Sequence, residues 1–293
     1  IYHIFILKFD YIYIYDNESN YPIDNYLIKY PILKKYIILN NVITSKITLS
    51  IKQYCRKHYQ INYLDKSDYT LFLDGDEYLS LKSVKNIKEF LLNEKFNNFN
   101  AILFNWKIFG DNNLLVKNNK YIIENFTKHS DIDTNLGSLN SHYKLIVKNK
   151  DIIDCSTNAH LFEIQNIKLC DTLGISTENK VHYINIHQID CIHHYQFKSL
   201  EDWIYKCNSC CNFLDDGTDK KTHRNYKHWN YTNGKPIVFN NEDKHLFNFK
   251  NEINYYLANL DINQIESEKE SVKESEKESE KKSEKESVKE SVK

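Results

Sequence analysis

Three carboxylates stand close together directly after an apolar run at residues 69–73. They are Asp74, Asp76 and Glu77, and Gly75 separates the first two. The run is typical of a buried strand, and we expect Gly75 to let the backbone turn sharply where that strand ends. Hard divalent cations prefer carboxylate oxygens, and phosphate compounds bind at the ends of strands in α/β sheets. The pattern favours an enzyme that handles a metal-bound phosphate compound, with an acidic loop after a core strand as the plainer alternative.

The bulk composition argues against two classes of partner. The chain has 293 residues and a net charge of -1, so its overall charge gives no attraction to nucleic acid or to acidic membranes. No segment reaches the roughly 18–20 apolar residues of a membrane span. We therefore expect a protein without a membrane span in a cytoplasmic setting, which leaves open whether an anchor precedes Ile1.

The cysteines predict reduced thiols rather than a disulfide framework. There are seven, an odd number, in a chain long enough to need no such bridges. Cys207, Cys210 and Cys211 form a C-x-x-C-C cluster, with His223 and His228 downstream. The set lacks the four-ligand spacing of a zinc site, so zinc is only a minor alternative.

Strands and helices alternate in the pattern of the first half. Apolar runs at 11–15, 69–73 and 101–106 predict strands, and the spacing over 84–96 predicts a helix. This order favours an α/β fold with a mostly parallel central sheet. The second half predicts further strands at 144–147 and 181–184 and a helix over 200–213.

The composition changes near residue 256. From Ser267 a serine recurs every four residues among lysine and glutamate, and aromatic residues are absent. Such a segment cannot bury a core. The sequence thus predicts one domain over 1–255 and a disordered or frayed-helical tail over 256–293.

Several short motifs occur in order over about residues 1–215. They are Tyr2 with His3, 15–19 (Tyr-Asp-Asn-Glu-Ser), 74–78 (Asp-Gly-Asp-Glu-Tyr), 106–110 (Trp-Lys-Ile-Phe-Gly), 124–127 (Glu-Asn-Phe-Thr), 144–147 (Lys-Leu-Ile-Val) with His160, and 194–199 (His-Tyr-Gln-Phe-Lys-Ser). In this order and spacing, the set resembles the motifs of glycosyltransferase family 92 and related glycosyltransferase-2-like proteins.

The resemblance implies a GT-A fold whose first strand lies upstream of Ile1, so that the chain is truncated at its N-terminus. It also implies a metal-dependent glycosyltransferase that uses Mn²⁺ or Mg²⁺. The donor would be a nucleotide sugar, most simply a UDP-sugar, and the acceptor a glycan or a protein-linked sugar. Transfer would proceed with inversion at the anomeric carbon.

The same resemblance assigns roles to individual residues. Asp76 is the expected metal ligand, Asp74 would hold the metal through water or bind the ribose, and His194 is the expected third ligand. Neighbouring side chains on a strand point to opposite faces, so only one of His193 and His194 can serve. The remaining nucleotide-binding candidates are Asp16, for the uracil or ribose unless it only closes an Asx turn, and Lys144 and Lys198, for the diphosphate.

The sugar-binding candidates are less specific. Glu77 is expected to orient the acids or contact the sugar. Trp106 and Phe109 would stack on a sugar face, with Gly110 allowing close approach, although such aromatic residues are also ordinary core residues. The sequence does not single out the general base, and the candidates are Asp131, Asp133, Asp154 and Glu163.

Two other functions fit part of the pattern. One is a degenerate GT-A domain that binds sugar or a partner without catalysis. The other is a haloacid-dehalogenase-like phosphatase, which also carries Asp-x-Asp after a strand. That class needs Thr or Val where Tyr78 stands, and its second acidic motif is not evident.

Overall fold

The protein is described here as a computed structural model that covers residues 1–47, 50–130, 139–155, 162–178, 189–208, 231–232 and 235–260. It is a mixed α/β structure. The strands are β1 (Ile12–Asn17), β2 (Ile37–Val42), β3 (Tyr69–Leu71), β4 (Glu77–Ser80), β5 (Ala101–Ile108), β6 (Lys128–His129), β7 (Tyr143–Lys148), β8 (Ile152–Asp154), β9 (Glu163–Ile164), β10 (Leu169–Asp171), β11 (Ser176–Thr177), β12 (Cys191–His194), β13 (Tyr231–Thr232), β14 (Lys235–Pro236) and β15 (Asn241–Glu242). The helices are α1 (Asp24–Lys29), α2 (Ile51–Tyr63), α3 (Ile87–Leu91), α4 (Ile122–Asn125), α5 (Leu200–Asn208) and α6 (250–260).

The central sheet is mixed, so the prediction of a mostly parallel sheet is wrong. Strand β5 pairs in parallel with β10 and β12, but antiparallel with β7. The outer pairings, β3 with β7, β4 with β12 and β10 with β11, are all antiparallel. The prediction failed because an alternation of strands and helices does not determine the direction in which a later strand returns to the sheet.

Strand β5 forms the middle of the core. All eight of its residues are buried, because strands pair with both of its edges and other elements cover both of its faces. Its even-numbered residues Phe104, Trp106 and Ile108 belong to the main apolar cluster, together with Phe90 of α3. Such double coverage favours a largely apolar run, which is why the sequence located this strand over 101–106, although the strand continues to Ile108 and also buries Asn105 and Lys107.

Helix α2 links a small second sheet to the central one. A capping box between Ser50 and Gln53 begins the helix. Its Tyr59 ring lies 5.2 Å from the ring of Tyr13 in β1, and its hydroxyl lies 2.6 Å from Thr70 Oγ1 in β3. Within the described residues β1 pairs only with β2, in parallel, and β3 pairs only with β7. Both sheets therefore pack against one helix without sharing hydrogen bonds.

Several predicted elements are shorter than expected or lie outside the described residues. The helix predicted over 84–96 is reduced to α3, because Asn86 caps its start and accepts from Glu89 N at 3.0 Å. The strand at 181–184 and the end of the helix at 209–213 lie outside the described residues, as do Cys210, Cys211 and the tail from 261 onward.

Helix α6 crosses the predicted boundary between residues 255 and 256. Its Tyr256 ring stacks on Phe5 at 5.0 Å, and Leu260 is buried against Leu27 and Leu33. The folded part of the chain thus extends at least to residue 260. In the described part of the chain, no helix has the length and hydropathy that a membrane crossing requires.

Candidate functional site

The predicted acids lie in a tight turn between β3 and β4. Glu77 N donates to Asp74 O at 3.0 Å, and Asp74 N donates to the Glu77 carboxylate at 2.8 Å. Gly75 does not have a positive φ, and a Cβ added to it would meet nothing within 4 Å. The turn therefore does not depend on the conformational freedom of glycine, because backbone and side-chain hydrogen bonds close it.

The pairing of β4 with β12 brings the predicted metal ligands together. His194 lies opposite Glu77 in this antiparallel pair, so its side chain reaches the turn. His194 Nε2 lies 3.6 Å from Asp76 Oδ1. The imidazole is buried, and its Nδ1 has no hydrogen-bond partner among the described residues. The fold thus brings two residues that are far apart in the chain next to each other, and their role as metal ligands stays a prediction.

His193 occupies the opposite face of the same strand. Its side chain is fully buried, and its Nε2 lies 3.5 Å from Asp243 Oδ2. Lys107 and Lys82 each reach that oxygen at 2.8 Å. His193 therefore belongs to a second polar cluster across the sheet and cannot substitute for His194 beside Asp76.

Lysines neutralise all three acids. Lys52 of α2 lies 2.8 Å from Asp74. Lys144 of β7 lies 3.4 Å from Asp74 and 3.2 Å from Glu77. The sequence predicts a role for Lys144 but not for Lys52, which lies in no motif and reaches the site only because α2 packs beside β3.

Lys206 of α5 is the other cation that the sequence did not reveal. Its Nζ lies 2.8 Å from Asp76 Oδ2 and 3.4 Å from the carbonyl of Gln196. The Ser199 hydroxyl caps the start of α5 by accepting from Asp202 N at 3.1 Å. This cap fixes where α5 begins, and the helical spacing then places the Lys206 side chain beside Asp76. Its role is therefore evident only from the packed structure.

The ion pairs control the charge of the two aspartates. Burial alone would raise the pKa of Asp76, but the hydrogen bond and charge of His194, together with Lys206 and Lys198, hold it well below its ordinary value. Burial would likewise raise the pKa of Asp74, whereas Lys144 and Lys52 lower it. Both carboxylates are therefore ionised at neutral pH and available to a cation.

Asp16 closes the loop after β1 by hydrogen bonds to the backbone, a structural role close to its Asx-turn alternative. Its carboxylate accepts from Ser19 N at 3.2 Å and from Ile23 N at 3.0 Å. The loop nevertheless borders the site, because Asn20 donates to the hydroxyl of Tyr205 at 2.8 Å, and Tyr205 precedes Lys206 on α5. Asp16 is thus a structural residue here, and its contact with a nucleoside stays a prediction.

The predicted sugar-binding aromatic residues separate into two environments. The Trp106 ring lies 4.2 Å from the ring of His194 and 6.0 Å from Lys144 Nζ, so it forms a wall of the acid cluster. Phe109 is fully buried and packs on His193 at 4.6 Å, which favours the core alternative for this residue. A Cβ at Gly110 would lie 2.5 Å from the Phe239 ring, so the close approach at this glycine is made by the protein itself.

Lys198 lies in a strained backbone conformation near the acids. Its φ is 52°, which is unfavourable for a residue with a side chain. Burial lowers the pKa of its amino group, although the charge of Asp76 opposes that effect. A lysine held in this way next to a carboxylate is compatible with the predicted role in binding a diphosphate.

The structure does not identify the general base. Asp131 and Asp133 lie outside the described residues. Asp154 and Glu163 face each other across the β8–β9 ribbon, and Lys57 lies 3.9 Å from Asp154. No described contact joins either of them to the acid cluster.

The donor atoms suit a divalent cation that takes its other ligands from a substrate. Among the described residues, no three His, Cys, Asp or Glu side chains converge in the manner of a complete metal site. Asp76 and His194 form a pair, and Asp74 is not part of a preformed triad with them. Mg²⁺ is commonly held by one or two carboxylates together with substrate phosphates, so a two-residue site fits this chemistry.

Comparisons with known proteins do not assign the chain to a family. No protein-family model matches the sequence, and no curated protein matches it significantly. A function can therefore be inferred only from the motifs and from the geometry of this acidic and basic cluster.

Proposed function

We propose that the protein is a metal-dependent glycosyltransferase that takes a nucleotide sugar, most simply a UDP-sugar, as donor. The observation that carries the proposal is the contact between Asp76 and His194. The two residues were selected as metal ligands from separate motifs, and their side chains lie 3.6 Å apart. A chance resemblance of motifs would give no reason for these two side chains to meet.

The surrounding side chains support the same chemistry. Sugar transfer from a nucleotide needs the departing diphosphate to be neutralised in a site from which water is excluded. A divalent cation bound by Asp76 and His194 would supply Lewis-acid stabilisation of that leaving group. Lys144 and Lys198 would add fixed positive charge, and Trp106 would exclude water and offer an apolar face to the donor.

Glu77 acts as a positioning residue in this proposal. Its carboxylate accepts from Asp74 N at 2.8 Å and pairs with Lys144 at 3.2 Å. It therefore orients both a candidate ligand and a candidate diphosphate-binding group without needing to contact the donor. The acceptor is proposed to be a glycan or a protein-linked sugar on the resemblance alone.

A thermal-shift panel tests donor binding. UDP-, GDP- and CMP-sugars are added with and without Mn²⁺, because a ligand that binds the folded state raises the melting temperature by mass action. We expect a UDP-sugar to raise it only with Mn²⁺, and we expect Asp76→Asn to remove the shift. Asp10→Asn is the matched control, since Asp10 forms an exposed pair with Lys88 at 2.7 Å.

The outcomes separate the enzyme from its alternative. A Mn²⁺-dependent shift that Asp76→Asn abolishes supports the proposed donor site. A metal-independent shift with no turnover of any donor would favour the non-catalytic sugar-binding domain. The absence of a shift with every donor would contradict the proposed function.

A further inference from the structure

Both oxygens of the Asp76 carboxylate already have partners on this chain. Lys206 Nζ lies 2.8 Å from Oδ2, and His194 Nε2 lies 3.6 Å from Oδ1. A carboxylate has about four lone-pair sites, so a cation can bind Oδ1 beside His194 while Lys206 holds Oδ2. The two positive charges then lie on one carboxylate and repel each other. Divalent metal and Lys206 therefore compete electrostatically for Asp76.

The charge balance of the cluster also favours competition between the metal and Lys206. Three acids, Asp74, Asp76 and Glu77, face three lysines, Lys52, Lys144 and Lys206. Lys198 adds a fourth positive charge near Asp76. The cluster thus has no excess negative charge without a metal, and a divalent cation alone would add to its positive charge. The diphosphate of a nucleotide sugar is dianionic, so a donor that binds with the metal offsets the added charge.

Lys206 is better able than Lys144 to move. The Lys144 side chain is 4% exposed and pairs with Glu77, whose side chain is 0% exposed, so its displacement would leave a buried carboxylate unpaired. The Lys206 side chain is 30% exposed and extends from near the end of α5. Its ammonium can therefore exchange Asp76 for water or for a phosphate oxygen at low cost.

Two buried polar atoms of the cluster have spare hydrogen-bonding capacity. Glu77 Oε1 and His194 Nδ1 have no hydrogen-bond partner among the described residues. Buried polar atoms are normally satisfied, by protein groups, by water or by an ion. The ion pairs of the cluster therefore leave room for hydrogen bonds to a further group.

We propose that Lys206 is a built-in competitor of the divalent cation: it neutralises Asp76 in the free protein and moves to the diphosphate when metal and donor bind together. This inference rests on the proposed function. It makes the metal and the nucleoside diphosphate bind cooperatively, since the departure of Lys206 to the phosphate leaves Asp76 open to the metal. Lys206 would thereby prevent tight metal binding when no donor is present.

The test measures Mn²⁺ binding directly, by the electron paramagnetic resonance signal of free Mn²⁺, with and without UDP. We expect Lys206→Gln to bind Mn²⁺ alone about tenfold more tightly than the natural chain, because one competing charge is removed. UDP should strengthen Mn²⁺ binding in the natural chain by a larger factor than in Lys206→Gln. Lys206→Arg should restore the competition, and Lys88→Gln, at an exposed pair, is the control.

Two failures are distinguishable. If Mn²⁺ and UDP bind together but Lys206→Gln binds Mn²⁺ alone no more tightly, the Lys206 proposal is overturned and the donor site stands. If neither the natural chain nor Lys206→Gln binds Mn²⁺, with or without UDP, both the Lys206 proposal and the proposed function are overturned. Circular dichroism melting of each variant verifies that the fold is retained.

Discussion

The ion pair between Glu77 and Lys144 is the most deeply buried contact of the candidate site. Their Oε2 and Nζ atoms lie 3.2 Å apart, and the side chains are 0% and 4% exposed. The removal of one partner from such a pair leaves the other charge buried without full compensation. Glu77 is therefore part of both the candidate site and the buried core.

Glu77→Gln is therefore expected to destabilise the fold strongly. We expect the free energy of unfolding to fall by about 3 kcal/mol, as when buried pairs are broken elsewhere. Urea denaturation measures the change. Asp10→Asn, which alters an exposed pair, should change it by less than about 0.5 kcal/mol. Equal effects of the two substitutions would show that Glu77 is not a supporting residue.

Motifs predicted some residues of the site and packing determined the rest. Asp76 and His194 each lie in a recognisable motif, so the sequence was enough to nominate them. Lys52 and Lys206 are single lysines on helices, and such residues are common on solvated surfaces. Their role depends on where α2 and α5 pack, which no local pattern encodes.

Strand direction was the main error at the scale of secondary structure. The apolar runs located β5 and β7, which are buried on both faces, and the half-buried strand β3. The antiparallel return of β7 beside β5 depends on the connection through α4 and β6. That connection shows no periodicity that distinguishes a crossover from a simple return.

Two glycines make a matched test of how segments pack. A Cβ at Gly110 would lie 2.5 Å from the Phe239 ring, whereas a Cβ at Gly75 would meet nothing within 4 Å. We expect Gly110→Ala to lower the free energy of unfolding by about 1–3 kcal/mol, because an overpacked core must shift. Gly75→Ala should leave stability unchanged or slightly raised.

Thermal melting of the two variants measures the difference. If Gly110→Ala melts like the natural chain, the segment that carries Phe239 does not pack on the end of β5 as described. A large loss of stability in Gly75→Ala would contradict the description of the acid-bearing turn as one closed by hydrogen bonds.

The stability of the whole molecule should fall on mild acidification. Burial lowers the pKa of His3 to about 3 and that of His193 to about 4. Both side chains are therefore neutral in the folded protein at pH values where the unfolded chain, with a histidine pKa of about 6.5, binds a proton. Since the unfolded state binds more protons in this window, stability decreases as the pH falls from about 6.5 towards 4.

Urea denaturation at about pH 7 and about pH 5 tests this dependence. Below about pH 6.5, each histidine should lower the free energy of unfolding by about 1 kcal/mol for each unit that the pH falls. His3→Gln is the informative variant, because His3 Nε2 accepts from Leu79 N at 3.3 Å and glutamine retains an acceptor. His3→Gln should reduce the slope of the free energy of unfolding against pH in this window. Identical slopes for the variant and the natural chain would contradict the buried, neutral state of His3.

The most direct test of the central claim is the release of UDP from a UDP-sugar in the presence of Mn²⁺. We predict release that a chelator abolishes and that Asp76→Asn reduces by at least about a hundredfold, because the loss of a ligand or charge-stabilising group at the reacting centre typically has an effect of this size. Asp10→Asn should match the natural chain. Release that is unaffected by both the chelator and Asp76→Asn, or no release from any nucleotide sugar, would contradict the account.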